Sequence, residues 1–256
     1  MALRPVPGDP AATSTGAAVE RAGEATLRPV PGNPATTSTG AADERAGEMA
    51  LRPVPGNPAT AVIVPVRSFE GALSRLAGVL GARRCHDLMR LMASRVVAAA
   101  DGLPVHVATD DAEVAAWASD LGAEVAPVGR PGLSTAVSVT VDRLAAAGIE
   151  RAVVAHADLA LARSLRPAVG PGLVIVPDRR RDGSNVLCVP TGCGFRFSYG
   201  PGSFRRHVAE ADRLHLAVTV VDDDALAADM DHPEDLLALP AAERLALGLD
   251  RLAMSP

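Results

Sequence analysis

Beyond about residue 60, short apolar runs alternate with longer stretches whose apolar residues recur every three or four positions. Ala61 to Val66 (AVIVPV) reads as a buried strand, followed by a loop from Arg67 to Gly81. Leu88, Leu91, Met92, Arg95 and Val96 have helical spacing over Arg83 to Ala100, and Asp101-Gly102 ends that helix. Val105–Thr109 is a second strand. Val114, Trp117, Ala118 and Leu121 then mark one face of a helix over Asp111 to Leu121. Glu124–Val128 is a third strand, and Leu133, Ala136, Val137, Val141 and Leu144 mark a helix closed by Gly148. Arg151–His156 and Gly172–Val176 are the fourth and fifth strands, Phe204–Leu214 is a helix, and His215–Val221 is a further strand. This alternation predicts an α/β fold: a mainly parallel, Rossmann-related sheet with helices on both faces. Such sheets bind ligands outside the carboxyl ends of their strands.

The first 60 residues break the pattern. Leu3-Arg4-Pro5-Val6-Pro7-Gly8 returns at Leu27 and again at Leu51, a step of 24 residues each time. The unit is rich in Pro, Gly, Ala and Thr and nearly free of large apolar side chains, so it buries no core. We expect a disordered tandem-repeat leader over 1–60 and one domain with its own core over 61–256. Met49 to Gly56 repeats Met1 to Gly8, which marks Met49 as an alternative start. No apolar run approaches a membrane span, and no signal peptide is visible. Three cysteines form no even framework, so a reduced cytoplasmic location is expected. A net charge of −5 argues against a general nucleic-acid binder. All 25 basic residues are arginine, so any cationic role falls to a planar guanidinium. Homo-oligomerisation stays open.

Four strand ends carry residues suited to chemistry. Arg67, Ser68 and Arg75 follow the first strand, and Asp158 follows the fourth. Pro177-Asp178-Arg179 and Asp182-Gly183-Ser184-Asn185 follow the fifth, and Asp229-Met230-Asp231 comes after the last. In extended chain Asp229 and Asp231 face the same side and repel each other unless a cation lies between them. Mg²⁺ suits a few carboxylates plus phosphate and water. The plainer alternatives are that Asp158 caps a following helix and that the 229–235 segment is an acidic turn into a helix starting at Pro233. Tyr199-Gly200-Pro201-Gly202-Ser203-Phe204 is a glycine-bearing loop entering a helix, a place that attracts anions; its plain reading is a loop capped by Ser203. His156 and His207 read as structural. The four residues Phe195, Phe197, Tyr199 and Phe204 close a small pocket.

Taken in order, these pieces resemble the CofC/FbiD family of guanylyltransferases of coenzyme F-420 biosynthesis. The resemblance runs from about Val62 to Leu239. It rests on Val64-Pro65-Val66-Arg67, Ser74-Arg75-Leu76, Leu133-Ser134-Thr135-Ala136, His156-Ala157-Asp158-Leu159, the 177–185 segment, Tyr199 to Phe204 with His207, and Asp229 to Leu236. It implies a GT-A-like nucleotidyltransferase that joins the GMP part of GTP to phosphoenolpyruvate or 2-phospho-L-lactate and releases pyrophosphate. It further implies that Asp158, Asp229 and Asp231 hold Mg²⁺ and that Arg67, Leu133, Ser184, Gly200 and Ser203 contact the phosphorylated acid; we expect Arg67, Arg75 and Asp158 to serve catalysis. The chain departs from the family where Arg67 and Leu73 stand in place of lysines.

Two other readings compete: a GT-A-type nucleotide-sugar transferase, since Asp-x-Asp occurs there too, and a non-catalytic nucleotide-binding homologue, suggested by Arg67 and Leu73.

Overall fold

The computed structural model describes residues 59–129 and 132–249. The leader expected over 1–60 and the start at Met49 lie outside these residues, except that Thr60 already opens the first strand.

Seven strands form one sheet: β1 (Thr60–Pro65), β2 (Val105–Ala108), β3 (Glu124–Ala126), β4 (Arg151–Ala155), β5 (Leu173–Pro177), β6 (Ser184–Pro190) and β7 (Val218–Val220). Their order is β3-β2-β1-β4-β6-β5-β7. The pairs β1–β2, β1–β4, β2–β3 and β5–β7 are parallel, while β6 runs antiparallel to both β4 and β5. The sheet is therefore mainly parallel, as the alternation predicts, with one reversed strand in its interior. The helices are α1 (Ala77–Leu80), α2 (Ala82–Ala98), α3 (Ala112–Asp120), α4 (Leu133–Ala146), α5 (Ser203–Arg213), α6 (Pro233–Ala238) and α7 (Ala241–Ala246).

Side chains alternate along β1 and split its buried residues between two cores. Val62, Val64 and Val66 meet Ala93 and Val96 of α2 and Val114, Trp117 and Ala118 of α3. Ala61 and Ile63 meet Ala136, Val137, Val141 and Leu144 of α4 and Ala211 of α5. Both faces of the sheet are thus covered. A third cluster packs Leu76, Leu80, Leu88 and Met92 against Met230, Leu236, Leu239 and Leu247. It pins the C-terminal helices, and the segment before them, to the start of α2. Arg95 reinforces this by donating to the Ala160 carbonyl at 2.6 Å and to Glu243 at 2.8 Å.

Several expectations change. The segment 67–81 is not a plain loop: Ser74–Leu76 is a 3-10 turn leading into α1, because Leu76 and Leu80 have the third cluster to bury into. Ser184-Asn185 is not loop but the start of β6, whose first six residues are all buried. The run His215–Val221 yields only the three-residue edge strand β7, exposed along its length; His215 has a positive φ of 54° and ends the turn out of α5. None of the described helices is long and apolar enough to cross a membrane.

Candidate active site

The reversed direction of β6 is what assembles the site. Its first residue lies at the same edge as the carboxyl ends of its neighbours: Val186 stands opposite Ala155, and the His156 N–H donates to the Asn185 carbonyl at 3.0 Å. Ser184, Asn185 and Asp158 therefore meet at one edge although they come from strands of opposite direction.

Asp158 caps no helix, since Ala157 to Leu161 form a turn. A single antiparallel bridge joins Leu159 to Asp229, and the Met230 N–H donates to the Asp158 carbonyl at 3.1 Å. The backbone thus lays the Asp229-Met230-Asp231 segment directly along Asp158, with Met230 buried in the third cluster as the anchor. Asp158 keeps a little exposed surface, but its Oδ1 is enclosed and has no hydrogen-bond partner. Burial, opposed by His156 and aided by Asp229 and Asp231, pushes its carboxyl up to about 6. Asp229 is also raised, chiefly by burial, while the Asn185 amide 3.4 Å away favours its ionised form. Asp231 is half-exposed and paired with Arg75 at 3.0 Å. Among the described residues no three such side chains converge into a ready metal cage. The donor set nonetheless suits Mg²⁺, which binds through a few carboxylates and completes its shell with phosphate and water. An enclosed, unpartnered carboxylate oxygen beside two further aspartates leaves room for a cation's charge.

After Asp231, α6 begins in a reciprocal cap. The Asp235 carboxylate accepts the N–H groups of Asp231 at 3.0 Å and His232 at 2.7 Å, and Pro233 fills the first turn. The helix start expected from this segment is present, and it fixes the aspartates ahead of it.

Two clefts flank the first strand end and share Pro65, Val66, Arg67 and Ser68 as a common wall. The first, about 860 Å³, runs along Thr109, Asp110, Val128, Gly129 and Leu133. Asp110 shapes it by accepting the Val128 and Gly129 N–H groups at 2.8 and 2.9 Å. The second, about 810 Å³, holds Leu73, Arg75, Asp158 and Asp231. Leu73, where a second cation was missing from the pattern, adopts φ 51°, a left-handed conformation that turns the chain into the Ser74-Arg75 corner.

Ser184, Gly200 and Ser203 form a third group beside these clefts, on the wall of neither. Ser203 is not the cap of α5: Gly202 is, at φ 73°, and Ser203 is the first helical residue. The anion already at this helix start is the protein's own. The Asp182 carboxylate accepts the Gly202 N–H at 3.0 Å, and the Asp182 carbonyl accepts that of Phe204 at 3.0 Å. The Ser203 N–H donates to the Gly200 carbonyl and the Tyr199 N–H to Ser134 Oγ, each at 3.0 Å. That leaves the Gly200 N–H without a partner among the described residues. Arg206 reaches back and donates to the carbonyls of Ser198, Tyr199, Gly200 and Pro201, which turns the loop's carbonyls toward one guanidinium. Phe195, Phe197 and Tyr199 do not line an open pocket; they surround the fully buried His207.

Sequence reasoning missed the roles of three residues that build this site. Asn185 ties Asp229 to the Leu226 carbonyl at 3.1 Å, Ser134 anchors the glycine loop to the start of α4, and Arg206 clamps that loop. Asn185 was adjacent to a chosen serine, but its role follows only from β6 being a strand.

The chain matches the family model described as "Guanylyl transferase CofC like" over residues 60–241. It is 34% identical over 190 residues to the phosphoenolpyruvate guanylyltransferase of Rubrobacter xylanophilus, spanning 70% of this chain and 93% of that protein. It is 38% identical over 187 residues to the 2-phospho-L-lactate guanylyltransferase of Halorubrum lacusprofundi, spanning 70% and 82%. A solved structure from Desulfovibrio desulfuricans G20, described as a nucleotide-diphospho-sugar transferase, superposes with a TM-score of 0.57 at 16% identity, covering 77% of this chain and 92% of that one. The last likeness is one of fold.

Proposed function

Since the chain belongs to the CofC-like guanylyl transferase family, we propose that it transfers GMP from GTP to phosphoenolpyruvate or 2-phospho-L-lactate, releases pyrophosphate, and works in the cytoplasm in the making of coenzyme F-420. One observation carries the reading of the site: Arg67 lies on the wall shared by both clefts. A nucleoside triphosphate with its base and ribose in the larger cleft and its phosphates in the acidic one passes across that guanidinium.

The chemistry asks little of the protein beyond alignment and charge. An anionic phosphate oxygen of the acid attacks the α-phosphorus of GTP. That P–O bond forms while the bond from the α-phosphorus to the bridging oxygen breaks, and the electron pair leaves on pyrophosphate. The nucleophile is already ionised, so no general base is required. Catalysis reduces to in-line positioning and neutralisation of crowded negative charge. Asp158, Asp229 and Asp231 would hold Mg²⁺, which when bound offsets phosphate charge. Arg67 and Arg75 would meet the leaving pyrophosphate. Ser184, the free Gly200 N–H and Ser203 would hold the acid, and Leu133 would close the apolar side where the two substrates meet.

Pyrophosphate release is the test, with GTP, Mg²⁺ and either acid as substrates. Turnover with one acid and none with ATP supports the proposal. Absence of turnover with both acids overturns it.

A further inference from the structure

His207 is the most completely buried titratable side chain of the site, with no exposed surface, and the transfer chemistry makes no use of it. Its two ring nitrogens are engaged in a way that fixes its proton. The Ser198 backbone N–H donates to Nε2 at 2.9 Å. An N–H cannot point at another N–H, so Nε2 is bare and the neutral ring carries its proton on Nδ1. Nδ1 lies 2.9 Å from Ser184 Oγ and donates to it. Ser203 Oγ lies 3.4 Å from Ser184 Oγ and completes a buried chain of three groups; Ser184 and Ser203 are 1% and 2% exposed.

Counting donors and acceptors along this chain gives a direction. His207 offers Ser184 a proton and no lone pair. The Ser184 hydroxyl must then direct its own proton elsewhere, to Ser203 or outward. If it goes to Ser203, the Ser203 proton is left over; if Ser203 donates back, the Ser184 proton is left over. Either way, one hydroxyl proton finds no acceptor within the group and is available to an oxygen acceptor from outside. A histidine of the opposite tautomer would present a lone pair to Ser184, absorb its proton and remove that preference.

We infer that His207, locked in its Nδ1–H tautomer by Ser198, is a positioning residue that makes the Ser184–Ser203 hydroxyl pair a net donor toward an anionic oxygen of the phosphorylated acid. The inference rests on the proposal that these serines hold the acid. Because Ser198 precedes Tyr199 and Gly200, the same ring also sets the height of the loop that carries the free Gly200 N–H. His207 therefore couples two donor sources, β6 and the glycine loop, on the same substrate group.

The test separates the two ring bonds by substitution. His207→Asn keeps an N–H near the Nδ1 position and loses the acceptor for Ser198; His207→Gln keeps an oxygen near the Nε2 position and loses the donor to Ser184. Steady-state pyrophosphate release is measured for both, varying acid and GTP separately. We expect His207→Gln to raise KM for the acid about tenfold with KM for GTP unchanged, and His207→Asn, which keeps the donor to Ser184 but loosens the Gly200 loop, to raise the acid KM by less than that. In a Ser184→Ala background, where acid KM is already raised, His207→Gln should add nothing further. If Ser184→Ala leaves acid KM unchanged, the assignment of the acid subsite fails. If it raises acid KM but the His207 effect is additive, or falls equally on GTP, the His207 inference fails alone. The wild-type protein gives a check independent of variant folding: imidazole ¹⁵N shifts should report the Nδ1–H tautomer, and an Nε2–H tautomer overturns the inference.

Discussion

Asp158 stores a cost in the metal-free protein that its amide analogue removes. Enclosure of its Oδ1, with Asp229 and Asp231 nearby, raises its carboxyl from 3.8 to about 6. Keeping it ionised at pH 8 then costs up to about 3 kcal/mol of folding stability. The sign follows from the direction of the shift. A carboxyl raised in the folded state favours folding below pH 4, where it is protonated in both states. That advantage is lost as pH rises from about 4 through about 6. Asp158→Asn has nearly the same shape and carries no charge, so the variant should gain up to about 3 kcal/mol over wild type at pH 8 in EDTA. For a domain of this size that is roughly 6–12 °C in melting temperature. The gain should shrink toward zero at pH 4. Mg²⁺ should narrow it at pH 8 by stabilising wild type alone, and pyrophosphate release should be lost. The assay is a thermal melt over pH 4–8 with and without EDTA, paired with turnover. If the variant is less stable than wild type at pH 8 in EDTA, the carboxylate is already stabilised by the protein and the argument for a missing cation fails.

Further outcomes follow from other parts of the site. Burial, followed by the nearby Arg206 and His156, pushes His207 down to about 4; its contribution to stability should be present above pH 6.5 and fade as pH falls toward 4, visible as a falling urea midpoint in the Asp158→Asn background and absent in His207→Asn. Arg75→Met should cost less than about 1 kcal/mol of stability, because its pair with Asp231 is solvent-exposed, yet lower kcat well over tenfold; a large loss of stability with normal turnover would refute the leaving-group role. Arg67→Lys should keep or raise activity, since a point charge serves phosphate as well as a fork does; a loss of a hundredfold would show that the guanidinium geometry is specific. Gly172→Ala should destabilise by more than about 2 kcal/mol in chemical denaturation, because φ is +68° and a Cβ would stand 2.2 Å from the Ala217 carbonyl oxygen, where β5 and β7 meet.

The parts of this molecule that were legible in sequence are those written in short-range period. β1, β2 and β4, and helices α2 to α5, follow from apolar spacing to within two or three residues, because each helix buries one continuous face and each of these strands is a short apolar run between two cores. Leu91 and Leu121, counted on buried faces by spacing, are 38% and 44% exposed, since they fall at the margins of those faces. The candidate site was legible as chemistry at strand ends: Arg67, Arg75, Asp158 and Asp231 share one cleft. What local pattern did not reveal was the strand β6, and with it a direction. Nothing in Ser184 to Pro190 distinguishes a parallel from an antiparallel strand, because both neighbours bury it on two faces and its apolar run reads the same either way.

That one ambiguity hid most of the site's internal logic. Read as loop, Ser184 and Asn185 are two polar residues after a turn. Read as the start of a reversed strand, they are held by the β4 and β5 ladders at the edge where the parallel strands end. From there Asn185 reaches Asp229, and Ser184 reaches His207. The same reversal brings Asp182, in the turn just before β6, to the start of α5, where its carboxylate meets an N–H that an incoming anion would otherwise use. On the proposed reading, an acid substrate at this edge would be held by what remains: the Gly200 N–H and the serine hydroxyls. On that reading, a preference of this edge for an anion rests less on a helix terminus than on one backbone amide and one hydroxyl proton without an acceptor in the Ser184–Ser203–His207 group.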